Sequence, residues 1–199
     1  QLTRHFDEAG LSTVDHLDFK GNVLEKSRRV IADAPLLAVF QQAPANGWHV
    51  TSFQPSWQPV SGQSLAQLEA KVLDPVAYRT SATYDALNRP REVRLPEDVE
   101  GQRRRFRPTY DRAGGLAQVF LDDTLYVERI AYDAKGQRIL IAYGNGLMTR
   151  YAYDPRTFRL TRLRSERYAQ TPAATYAPLG VALQDYAYSY DLAGNVLEI

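Results

Sequence analysis

Apolar and polar residues alternate in short runs along most of this chain, and each run ends in a cluster of Asp, Asn, Gly or Pro. Alternation with a period of two places neighbouring side chains on opposite faces of a strand, and the clusters supply turns. The pattern predicts strands at 23–25, 92–95, 116–121, 126–132, 160–163 and 186–190. The clearest run is QRILIAYGNGLMTRYAY, starting at Gln137. Within it Asn145 and Gly146 predict a type I′ hairpin turn, because both of its central positions need positive φ. That turn sets Tyr143 opposite Met148, Ile141 opposite Arg150 and Leu140 opposite Tyr151. Ile139, Ile141, Tyr143 and Met148 would share one face, and Leu140, Ala142, Tyr151 and Tyr153 the other. Both faces then hold apolar or aromatic groups, so the sheet needs covering on more than one side.

Two stretches break the alternation. Residues 32–81 hold Pro35, Pro44, Pro55, Pro59 and Pro75 together with Trp48 and Trp57. Within this insertion SLAQLEAKVL spaces Leu65, Leu68 and Val72 at helical intervals, and Ser64 with Gln67 forms a capping-box pattern, so one short helix is expected. The rest reads as ordered, since Trp and Phe are costly to leave exposed. The second stretch, 166–185, reads as irregular. These breaks suggest degenerate repeats at 1–31, the insertion at 32–81 and a repeat sheet at 82–199, all in one structural unit.

The turns recur as a motif. An aromatic followed by Asp appears as YDALNR from Tyr84, YDRAGG from Tyr110, YDAKGQ from Tyr132, YDPRTF from Tyr153 and YDLAGN from Tyr190. FDEAGL from Phe6 and LDFKGN from Leu17 are weaker copies. In Asp-x-x-Gly, the carboxylate of Asp111, Asp133 or Asp191 can accept a hydrogen bond from a backbone N–H two residues on. Gly114, Gly136 or Gly194 then takes the left-handed conformation that completes a bulged hairpin. After Asp85 the Gly is replaced by Asn88, which tolerates positive φ. After Asp154 it is replaced by Thr157, so that loop should be longer or differently shaped.

Composition adds limits. Hydrophobic residues make up 44% and charged residues 24%, values of a folded globular chain, and no apolar stretch is long enough to span a bilayer. A net charge of +1 argues against nucleic acid as a partner, because phosphate binding needs a concentrated basic field. Thirteen Tyr suit half-buried strands, and the absence of Cys excludes disulfides, thiolate metal sites and a Cys nucleophile. Starting at Gln1 without Met, basic n-region or apolar h-region, the chain reads as an excised or processed piece.

Candidate chemistry is sparse. His5 and His16 lie beside Asp7 and Asp18, but their offset matches that of the two weak repeats, so repeat geometry explains the pairing better than a metal. Asp122, Asp123, Glu97, Asp98 and Glu100 fall in predicted loops, where a carboxylate has no apolar pocket to raise its pKa for acid–base work. No catalytic, cofactor or metal residue is assigned, and no enzyme activity is expected. The basic run QRRRFR, with Arg103, Arg104, Arg105 and Arg107 around Phe106, is the candidate anion or glycan patch. Its plainer reading is Arg and Glu paired across a hairpin.

At YDAKGQRILIAYGNGLMTRYAYDPRTFRLTRL, together with HFDEAGL, LDFKGNVLEKSRRV and TYDALNRP, the chain resembles the RHS/YD-repeat proteins. Within that superfamily it is most similar to the repeat region of insecticidal toxin complex B and C subunits and related bacterial RHS toxins. The resemblance implies an all-β fold of antiparallel hairpins forming an arc of a spiralling shell, with one short helix in the insertion. It implies containment of a toxic C-terminal cargo, with other repeats of the shell, that cargo and other toxin-complex subunits as partners, and a secreted or cell-surface location. No block here matches the self-cleavage site of the toxin relatives. An adhesion or glycan-binding module, as in the related teneurins, is the alternative.

Overall fold

The computed structural model describes residues 3–50, 52–170 and 175–198, and the chain divides into two compact units, 1–104 and 105–199. The first carries β1 (Arg4–Asp7), β2 (Gly10–Leu17), β3 (Val23–Val30), β4 (Tyr78–Tyr84) and β5 (Pro90–Glu97), antiparallel and in chain order. β3 and β4 pair directly, Glu25 with Ser81 and Arg28 with Tyr78, although the insertion separates them in sequence.

That insertion leaves the sheet and returns to cover it. α2 (Leu65–Val72) begins at the Ser64–Gln67 capping box that the sequence predicts, with Gln67 N–H donating to Ser64 Oγ at 3.2 Å and Ser64 N–H to Gln67 Oε1 at 2.8 Å. Its Leu68 and Val72 join Leu11, Ile31 and Leu73 in a buried core, against which Phe6, Phe53, Trp57 and Leu65 pack. Trp57 also donates its indole N–H to the Asp7 carbonyl at 3.1 Å. These contacts place the insertion and strands β1–β3 in one unit. The sequence boundary at 81/82 instead falls inside β4. A second helix, α1 (Asp33–Gln41), was not expected; it buries no side chain, which is why its apolar residues carry no clean helical stripe. Trp48, expected to pack, is 77% exposed.

The second unit is a meander in chain order: β6 (Arg103–Tyr110), whose first two residues precede the division, then β7 (Leu116–Leu121), β8 (Thr124–Tyr132), β9 (Arg138–Tyr143), β10 (Leu147–Tyr153), β11 (Leu160–Gln170) and β12 (Tyr176–Ala187). A separate ribbon joins β13 (Ser189–Tyr190) to β14 (Val196–Glu198). Among the described residues, the buried positions of this unit are Pro108, Ile141, Ala142, Met148, Thr149 and Glu166.

The central hairpin departs from its expected register. Met148 faces Ala142, Thr149 faces Ile141 and Arg150 faces Leu140, one position away from the type I′ pairing. Gly144 N–H donates to the Tyr126 carbonyl at 3.0 Å, so Gly144 is bound to β8 and drops into the loop. The loop closes by Gly146 N–H donating to Tyr143 O at 3.1 Å, with Gly146 alone of the three loop residues at positive φ. This is a bulged hairpin. Because side chains alternate, a one-residue shift exchanges the faces, and Met148 shares its face with Ala142 instead of Ile141.

The stretch expected to be irregular is mostly a long hairpin, β11 with β12, whose tip at 171–174 lies outside the described residues. Pairing runs from Arg162–Ala187 to Ser165–Gln184 and resumes at Arg167–Leu179, so residues 180–183 bulge out. Pro178 and Gly180 gave the segment its loop-like composition. Both are tolerated because β12 lies at the margin of this unit's sheet, where a missing N–H donor or a left-handed bulge residue disrupts one ladder only.

Candidate functional site

The repeat aspartates organise backbone. Asp85 Oδ1 accepts from the N–H groups of Leu87 (2.8 Å) and Arg89 (3.0 Å), Asp133 Oδ1 from Lys135 and Gln137 (both 2.9 Å), and Asp111 Oδ1 from Gly115 (2.8 Å). Asp191 Oδ1 accepts from Gly194 (2.6 Å) and Asn195 (2.8 Å). Asn88, Gly114, Gly136 and Gly194 all take positive φ. The Asp154 turn is one residue longer: Phe158 N–H reaches the Asp154 carbonyl at 2.8 Å, and Phe158, at φ 60°, holds the left-handed position. Asp85 is held below the usual carboxylate range first by the Arg89 N–H, Asp154 by the Thr157 N–H and Asp191 by the Asn195 side-chain amide. A further turn of this kind starts at Asp98, which accepts from Glu100 and Gln102 with Gly101 at φ 73°. A search for Tyr-Asp passes over it because Glu97 precedes it.

The repeat tyrosines join turns to each other. Tyr84 donates its hydroxyl to Val23 O (3.0 Å), Tyr132 to Leu116 O (3.0 Å), Tyr153 to Arg138 O (2.9 Å) and Tyr190 to Leu160 O (2.6 Å). Each acceptor is the first residue of a preceding strand, just past the previous Asp turn. The phenol thus spans from one hairpin turn to the one before it. Tyr110 ends β6 beside the Asp111 turn.

The basic run is drawn into the same hairpins. Arg103 donates to the carbonyls of Arg79 and Leu95 and to Ser81 Oγ, each at 3.1 Å. Arg104 pairs with Asp98 at 3.1 Å and Glu100 at 3.5 Å. Arg105 and Arg107 reach Asp123 at 3.1 and 3.3 Å, and Arg107 lies 5.3 Å from the Phe120 ring centre. Asp122 Oδ1 accepts the Arg105 N–H at 2.8 Å, which makes this acid part of the turn. His5 Nδ1 stands 3.9 Å from Asp7, whose carboxylate is occupied by both terminal nitrogens of Arg28.

Two polar clusters were not legible in the sequence. Tyr168 and Tyr176, from β11 and β12, both donate to the Glu128 carboxylate on β8, and Tyr168 also reaches the Tyr143 carbonyl at 3.1 Å. Burial, with the Glu128 carboxylate beside it, pushes the Tyr168 phenol up to about 12. The long hairpin therefore bends over the β9–β10 turn and fastens on β8. The second cluster surrounds Glu166, which is fully buried and is paired with Arg150 and with Arg164 (3.0 Å). Arg162 grips Asp185 next to it. The signal that could have exposed this cluster is the alternation of Arg162, Arg164 and Glu166, which marks one face of a strand.

No protein-family model matches the chain. The toxin subunits YenC1 and YenC2 of Yersinia entomophaga are 29% and 28% identical to all of it, and it spans 18% of the length of each. The crystal structure of TcdB2-TccC3 is similar over 98% of this chain and 8% of that one, with a TM-score of 0.66 and 25% identity. Over its whole length the chain is therefore similar to Tc toxin subunits in sequence and to the TcdB2-TccC3 shell in fold. The Photorhabdus luminescens Tc holotoxin pore is similar over 99% of this chain, again at 25% identity and TM-score 0.66, with 8% of that chain covered. These likenesses run through the insertion as well as the repeats, where the sequence resemblance was weakest. Among the described residues no helix is long and apolar enough to cross a membrane.

Proposed function

We propose that this RHS segment is a length of wall in a toxin shell that encloses a toxic C-terminal cargo. The observation that carries the reading is the tyrosine-linked meander, which adds one hairpin after another, each repeat tyrosine tying its own Asp turn to an earlier one at the same end of the strands. Such a sheet extends without a natural end. Among the described residues, β1 pairs only with β2 and β12 only with β11, and long bare edges of this kind are ordinarily covered or paired in a native protein. Leu179, Val181 and Leu183 on β12 are more than half exposed, as expected of a surface meant for further wall. The partners are then the neighbouring repeats, the cargo and other toxin-complex subunits, and the location is secreted or cell-surface. The glycan-binding alternative draws no support from Arg103, Arg104, Arg105 and Arg107, whose guanidinium groups already hold acids and carbonyls.

Limited proteolysis of the whole protein that carries this segment tests the reading. The polypeptide that follows the repeats should resist protease until denaturant opens the wall, and then be cut rapidly. Cleavage there at the same rate before and after opening would overturn containment.

A further inference from the structure

The cluster around Glu166 forms a cleft whose charge is unbalanced. Arg150, Arg162, Arg164, Ile139, Tyr151 and Ala152 line a cavity of about 280 Å³. Three guanidinium groups meet two carboxylates there: Glu166 takes Arg150 and Arg164, while Asp185 takes Arg162 at 2.6 Å and stands 3.7 Å from Arg164. One positive charge is left over. The fully buried Glu166 fixes Arg150 and Arg164 from below and Asp185 holds Arg162 from one side, yet the arginine side chains remain 45%, 53% and 33% exposed for Arg150, Arg162 and Arg164. They are reachable from solvent and held in place before anything arrives.

A fixed array of guanidinium forks selects planar carboxylates, which accept two parallel N–H bonds, and both acids already in the cluster are carboxylates. Ile139, which is 39% exposed, adds an apolar wall, and Tyr151 and Ala152 complete the lining. A free inorganic anion would make no use of that wall, whereas a peptide side chain next to the acid would pack on it. We propose that this cleft binds a glutamate or aspartate side chain of an extended acidic peptide, as the third acid for its three arginines. The site is distinct from the run at 103–107, whose arginines are tied to acids and carbonyls of their own hairpins.

Amide and guanidinium NMR shifts of the chain, titrated with the blocked peptide acetyl-Val-Glu-Leu-amide, its Gln counterpart and inorganic phosphate, test the site. The Glu peptide should give saturable shifts at Tyr151 and at the Arg150 and Arg162 Nε–H, with at least tenfold weaker binding of the Gln peptide and of phosphate. Arg162→Gln should weaken the Glu peptide at least tenfold, and Arg103→Gln should leave it unchanged. Should Arg162→Gln lose its β-type circular dichroism, Arg162→Lys carries the test, since it keeps the charge and loses the fork. No saturable binding, equal binding of Glu and Gln peptides, phosphate binding as tightly as the Glu peptide, or unaltered affinity in the Arg162 variant would each overturn the proposal.

Discussion

At the scale of single residues, the loop at Gly144, Asn145 and Gly146 shows two glycines needed for different reasons. Gly146 sits in open space at φ 80°, so only its backbone conformation favours glycine. Gly144 has ordinary φ, but a Cβ there would run into the Leu125 carbonyl. Replacing Gly146 by Val should cost about 1–2 kcal/mol, the penalty of forcing a branched residue into the left-handed region. Gly144→Ala should cost more, because the clash is with backbone and relief requires β8 and β9 to separate. Urea unfolding of the two variants checks the ranking; equal and small effects would mean that the loop rearranges freely. The same distinction applies to Phe158, which bears a side chain at φ 60° and lies beside the Lys135 ammonium.

At the scale of elements, the phenols of Tyr132, Tyr153 and Tyr190 connect hairpins that backbone pairing alone would leave free to splay at their turns. Tyr153→Phe removes the bond to Arg138 O and should lower stability by about 1 kcal/mol, the net worth of one such hydrogen bond. The half-exposed Tyr186→Phe serves as the surface control and should fall near zero. The β11–β12 hairpin is fastened differently, through Glu128. Glu128→Gln should loosen the hairpin around Tyr168 and Tyr176 without unfolding the sheet, read as faster amide exchange at Tyr168, whose N–H donates to Gly146 O at 3.1 Å. Unchanged exchange there would show that strand pairing alone holds Tyr168 in place. Tyr168 should also titrate far above an ordinary phenol in the wild-type chain, and return toward the usual value in the Gln variant.

At the scale of the whole chain, many small acid-dependent contacts act together. Asp7 is lowered to about 2, first by the hydrogen bond from Arg28, and Asp18, Asp85, Asp98, Asp154, Asp185 and Asp191 are all lowered too. A carboxyl whose folded pKa is depressed binds its proton more readily when unfolded, so its contribution is complete above the ordinary Asp value near 3.9 and fades as pH falls below it. For Asp7 the loss runs from about 3.8 down to about 2. Melting temperature should therefore stay level between pH 7 and pH 5 and drop steeply below pH 4. A profile that stays flat down to pH 3 would show that these turns contribute little to stability. The effect is spread over both units, because each contains several of the turns.

The sequence by itself determined the turns, because each depends on only four or five neighbouring residues. Asp-x-x-Gly specifies its own hydrogen bonds, and Ser64 with Gln67 specifies the start of α2, whatever the rest of the chain does. It also determined the short strands between turns, through their alternation, and with them the RHS resemblance. Tertiary structure decided what depends on distant partners. The register of the central hairpin turned on Gly144 meeting Tyr126 from the neighbouring strand, which overrode the local preference of Asn-Gly for a two-residue turn. The 166–185 stretch became a strand pair because its ends, Glu166 held by Arg150 and Arg164 and Asp185 held by Arg162, together with the Glu128 fastening outweigh a loop-like composition. In the same way the arginine run, conspicuous in sequence, is neutralised by its own hairpins, while Arg150, Arg162 and Arg164 come together only because strand pairing stacks β10 on β11. Charges separated along a chain have no meaning as a group until pairing sets them side by side.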